Sequence, residues 1–80
     1  MDIKVIGAGC EKCNQLYRNV QEAVQQLGLN AQVQKVEDLV EMVQLGVMTS
    51  PSVMVDGKLV VSGRVANVKS LVNLLKIQEG

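Results

Sequence analysis

Two cysteines are the only thiols in the chain, and they stand three positions apart in Gly9-Cys10-Glu11-Lys12-Cys13. A pair at this spacing can close a reversible disulfide, hold a soft metal, or pack as two small apolar side chains. On a helix, residues three apart share a face, so Cys10 and Cys13 come within disulfide reach. At a helix start, unpaired backbone N–H groups carry partial positive charge. A thiolate there is stabilised, so Cys10 is expected to ionise below the free-cysteine value of about 8.5. Glu11 opposes that ionisation and Lys12 favours it, which leaves the helix terminus as the main stabiliser. The expected arrangement is an exposed nucleophile, Cys10, and a sheltered resolving thiol, Cys13, one turn inward. When oxidised, the pair is expected to close one intramolecular disulfide.

The metal reading has less to work with. A closed zinc site takes about four ligands. The chain has no histidine and no second CxxC, so a monomer offers only a two-coordinate Cu(I) site or half of a shared one. A copper or zinc carrier is therefore the alternative to redox exchange. No cofactor is expected. Packing alone is the weakest account, because a CxxC after a glycine turn, between a strand and a helix, is rarely accidental.

The elements around the pair follow from periodicity. Residues Asp2 to Ile6 read as a short strand ending at Gly7-Ala8-Gly9. Leu16, Val20, Ala23, Val24 and Leu27 fall at helical spacing from about Glu11, and Gly28 stops the run. Ala31 to Val36 alternates as a half-covered strand. Asp38 can cap a short helix with Val40, Met42, Val43 and Val47 as its apolar set. Ser52–Val55 and Lys58–Ser62 are strands joined by Asp56-Gly57, a strong hairpin signal. Asn67 can cap a last helix with Val68, Leu71, Val72 and Leu75 on one face. The order βαβαββα implies an α/β fold: a mixed four-stranded sheet flanked by three helices, with the first strand central. The first two strands are expected to pair in parallel through a right-handed crossover.

Eighty residues make one expected domain, 1–80. Nearly half the chain is apolar, yet Tyr17 is the only aromatic, which speaks against stacking on single-stranded nucleic acid. Eight basic and eight acidic residues cancel, so no strong field recruits nucleic-acid phosphates or anionic lipid. No apolar run approaches the roughly 20 residues of a membrane span. The first residues, with Asp2 and Lys4, do not read as a signal peptide. A cytoplasmic monomer is expected, with no nucleic acid and no membrane as partner. Met42, Met48 and Met54 are expected to fill core gaps, and Arg64 to be a solvated charge.

The second constellation is Met48-Thr49-Ser50-Pro51-Ser52, with Pro51 the only proline. A Thr/Ser-Pro before the hairpin, following a CxxC at the first helix, resembles the thioredoxin superfamily. The two blocks GAGCEKC and GVMTSPSVMVDGKLVVSGRV are most similar to its small redox-active disulfide proteins, and the likeness spans essentially the whole chain. The resemblance implies a thioredoxin-like, glutaredoxin-sized fold and thiol–disulfide exchange, with Cys10 attacking and Cys13 resolving. It further implies a cis Pro51 facing the cysteines and a Ser50 backbone that pairs with an extended substrate. Gly63 would leave the groove open before the last helix. Protein disulfides and a dithiol-reducing partner would be its reaction partners. The chain departs from full thioredoxins in three ways. It lacks their opening strand and helix, and it has Gly9 where they carry tryptophan. Lys4 stands where they carry a buried carboxylate, which leaves water or Lys4 itself to accept the Cys13 proton. No residues specify a glutathione site.

Overall fold

The computed structural model describes residues 1–7 and 11–79. Among them run β1 (Asp2–Ile6), α1 (Glu11–Leu27), β2 (Gln32–Val36), α2 (Leu39–Gln44), β3 (Ser52–Val55), β4 (Lys58–Ser62) and α3 (Val68–Glu79). The strands form one sheet in the order β2-β1-β3-β4. As expected, β1 lies inside it, parallel to β2 and antiparallel to β3. The hairpin turns at Asp56-Gly57, both residues having positive φ (50° and 85°), as a type I′ turn demands. β2 starts at Gln32 rather than Ala31, because the parallel register begins with Asp2 opposite Gln32.

Alternation along the strands divides the apolar residues between two faces. Ile3, Val5, Val53, Val55 and Val61 join Leu16, Val20 and Ala23 of α1 and Leu71 and Leu75 of α3 in the main core. Ile6, Val36 and Met54 form a smaller cluster on the other face with Met42 of α2 and Val47. Caps set two of the helix starts. Asp38 Oδ1 accepts from the Val40 N–H at 2.9 Å, and Asn67 Oδ1 accepts from the Ser70 N–H at 2.8 Å, as the sequence leads one to expect.

Two apolar assignments are corrected. Val40 and Val43 are exposed, and only Met42 of α2 is buried. A helix of six residues makes under two turns, so it has a single side chain to aim at the sheet. Met48 fills no core gap. It is 90% exposed, in the segment between buried Val47 and Pro51, whereas Met42 and Met54 are buried as expected. No helix of the described residues is long and apolar enough to cross a membrane.

Candidate active site

The site forms where β1 ends and α1 begins. Gly7 closes β1, and its N–H donates to the Val36 carbonyl at 2.9 Å, continuing the β1–β2 ladder past the last strand pair. Cys13 lies in the first turn of α1 and is 1% exposed. Its sulfur packs onto Gly7 so closely that a Cβ on Gly7 would lie 2.3 Å from Cys13 Sγ. The same Cβ would stand 3.6 Å from the Cα of Pro51. The buried sulfur and the proline backbone thus converge on the place a Gly7 side chain would take, and the closeness of the sulfur excludes any residue with a Cβ there. Cys10 immediately precedes α1 in the chain, but it lies outside the described residues, as do Ala8 and Gly9.

The Ser50–Pro51 peptide bond is cis. Pro51 is buried and Ser50 exposed. Thr49 and Ser52 bracket the pair with hydrogen bonds: Ser52 Oγ donates to the Thr49 carbonyl at 2.8 Å, and the two hydroxyls lie 3.1 Å apart. Thr49 Oγ1 also meets Ser62 Oγ at 2.7 Å. Gly63 follows in the chain with φ 69°. A Cβ there would lie 3.7 Å from Thr49 Cβ, so Gly63 sits beside the same loop.

Two grooves flank this point. One, about 400 Å³ and largely apolar, is lined by Leu39, Met42, Val43, Val47, Met48, Thr49 and Ser50. The other is polar and open, lined by Glu11, Lys12, Asn14, Gln15, Arg18 and Val65 along the start of α1. Lys35, at the end of β2, is fastened across α1: its Nζ donates to Asn14 Oδ1, pairs with Glu37 at 3.6 Å and stands 5.6 Å from the Tyr17 ring centroid. Arg64 is exposed.

Lys4 is not beside Cys13. It pairs opposite Met54 on the face that α2 covers and lines a small cavity with Asp2, Leu45 and Gly57 near the hairpin end of the sheet. Cys13 belongs to α1, whose buried side chains pack over the other face. This geometry removes Lys4 as proton acceptor for the buried thiol. Sequence reasoning passed over two features of the site, the contact of Gly7 with Cys13 and the hydroxyls around Pro51. The first had a signal in a glycine closing the strand before the CxxC, and the second in the run of hydroxyl residues on both sides of the only proline.

A CxxC at the junction of the central strand and the first helix, and a proline loop packed against that junction, can be compared with known proteins. A family model described as the thioredoxin domain matches residues 1–76. A thioredoxin of Methanocaldococcus jannaschii is 39% identical over 74 residues, covering 92% of this chain and 85% of that protein. A thioredoxin of Methanothermobacter thermautotrophicus is 35% identical over 75 residues, covering 94% of this chain and 97% of that protein. With likeness extending over nearly the full length of both partners, the chain belongs to the thioredoxin family of thiol–disulfide oxidoreductases.

Proposed function

We propose that Cys10 and Cys13 are the exchanging dithiol, and that the substrates are disulfides carried in extended protein segments lying along the Ser50–Pro51 loop. The observation that carries this reading is the convergence at Gly7, where the place of the missing Cβ lies 2.3 Å from Cys13 Sγ and 3.6 Å from the Cα of Pro51. A segment hydrogen-bonded to the Ser50 backbone would bring its sulfur to the start of α1 by strand addition. Gly63, beside the loop, adds no side chain to obstruct it. The exposed apolar side chains of Leu39, Val43 and Met48 suit apolar residues next to the substrate cysteine.

In the reducing direction, the Cys10 thiolate attacks one sulfur of the substrate disulfide. The substrate S–S bond breaks, one substrate thiolate leaves, and a mixed disulfide joins Cys10 to the other sulfur. Cys13 gives up its proton and attacks Cys10, expelling the second substrate thiolate. The substrate gains two electrons and the dithiol becomes a disulfide, which a dithiol-reducing partner restores by the same steps reversed. Water reaching the mouth of the site takes the Cys13 proton, since Lys4 lies on the far face. The protein acts as a monomer, one domain of residues 1–80, in a reducing cytoplasm. The copper or zinc carrier reading is not favoured, because carriers of that kind continue ββαβ after their CxxC helix, whereas here α1 is followed by a strand, a helix and then Ser50-Pro51.

The test is covalent trapping. With Cys13→Ser, a substrate disulfide is opened by Cys10 and stays attached, so a mixed disulfide accumulates on non-reducing gels. With Cys10→Ser neither reactivity nor trapping remains. Trapping by the Cys10 variant but not by the Cys13 variant would reverse the roles, and trapping by neither would end the exchange reading.

A further inference from the structure

Ser52 is the one buried polar residue recorded in the core of the described chain, and its side chain is fully enclosed. Its single hydroxyl proton goes to the Thr49 carbonyl, 2.8 Å away. Toward the Thr49 hydroxyl, 3.1 Å away, Ser52 can therefore only accept. That uses the one proton of Thr49, so in the 2.7 Å contact with Ser62 the Ser62 hydroxyl must donate. The direction of the whole chain is thereby fixed by counting protons: Ser62 donates to Thr49, Thr49 donates to Ser52, and Ser52 donates back to the Thr49 carbonyl. Hydroxyls donating head to tail polarise one another and strengthen each link. The register makes this possible, since Ser52 stands opposite Ser62 across β3 and β4.

Ser50 and Pro51 are therefore enclosed in a short ring closed twice by Thr49 and Ser52 and moored to β4 through Ser62. Thr49 is itself exposed, so its hydroxyl contributes little to the packing of the core. Losing it leaves Ser62 to water and leaves Ser52 with its carbonyl acceptor. The chief loss is the tie that holds the loop to β4. We propose that Thr49, through its hydroxyl, is a positioning residue that sets the Ser50 backbone for pairing with an extended substrate. This rests on the reading that the Ser50–Pro51 loop borders the substrate.

The test compares Thr49→Val, which keeps volume and loses the hydroxyl, with Thr49→Ser, which keeps the hydroxyl. Each is assayed on an extended peptide disulfide and on hydroxyethyl disulfide, which is too small to pair with the loop. The expected result is a KM for the peptide raised about five- to tenfold in Thr49→Val, the size of one lost hydrogen bond. Its kcat, its turnover of hydroxyethyl disulfide and its melting temperature stay as in the parent protein, and Thr49→Ser behaves as the parent throughout. An unchanged peptide KM in Thr49→Val, or an equal rise in Thr49→Ser, overturns the positioning role. So does an equal loss on both substrates. If the parent protein itself shows no lower KM for the peptide than for hydroxyethyl disulfide, the loop is not the substrate groove, and both readings fall together. A parent that discriminates, with a Thr49→Val variant indistinguishable from it, removes the role of Thr49 alone.

Discussion

The two faces of the sheet are covered very differently. On one face, α1 and α3 bury a continuous core that includes Leu16, Val20, Leu71 and Leu75, each at most 1% exposed. On the other, the short α2 contributes only Met42, while Leu39, Val40 and Val43 remain in water. Both covering surfaces are rich in aliphatic residues, so composition does not explain the contrast. Length does. A helix of 17 residues repeats its apolar stripe over several turns, whereas α2 turns its stripe past the sheet after one contact. The first face secures the fold. The second keeps unburied apolar surface beside the Ser50–Pro51 loop.

Truncating the well-covered face should have the largest effect. Leu16→Ala is expected to cost about 2–5 kcal/mol, read by urea denaturation. A loss below about 1 kcal/mol would mean that this face is no better packed than the other. Gly7→Ala comes next, because its Cβ would overlap Cys13 Sγ at 2.3 Å. Overpacking of this kind costs about 1–3 kcal/mol, and displacement of Cys13 should also slow resolution of a mixed disulfide in stopped-flow thiol release. Normal stability with normal resolution would show that the sulfur moves aside freely. The smallest effect on stability belongs to the open face. Val43→Ser, at a position 71% exposed, should stay within about 0.5 kcal/mol of the parent in the same denaturation experiment. The same change should weaken binding of substrates with an apolar residue beside the reactive cysteine. If it instead destabilises as much as Leu16→Ala, α2 is a core helix and the contrast between the faces disappears.

Much of this was legible in the sequence because it depends on local chemistry. The caps at Asp38 and Asn67, the Asp56-Gly57 turn and the stripe Leu16, Val20, Ala23 each follow from a residue and its near neighbours. The exposure of Val40 and Val43 was not legible. Periodicity tells which side chains share a stripe, but not whether the helix is long enough for anything to cover it. The same holds for Met48, whose type suits a core and whose loop lies outside one. At the site, Cys13 and Pro51 were expected to meet only through the family resemblance, and the structure brings them to one glycine. The tie from Thr49 to Ser62 depends on how β4 aligns with β3, including an irregularity between Val53 and Met54 that no local pattern announces. Lys4 was matched to a family position by counting back from Cys10, and a count along a strand carries no information about which partner covers that face.

The placement of β1 also governs how the protein comes into being. This strand is made before the other three of its sheet, yet it is completed on one side by β2 and on the other by β3, with Ile6 opposite Ser52. Contacts so distant in the chain delay folding, and Ile3 and Val5 share their core with Val53, Val55, Leu71 and Leu75 from the later half of the chain. A ribosome adding about 5–20 residues per second takes roughly two to eight seconds to pass from Cys13 to Pro51. During that interval Cys13 exists without the proline loop that will adjoin it. The nascent cysteines are thus made before the Pro51 loop, and the surrounding redox buffer must keep them reduced until the hairpin arrives.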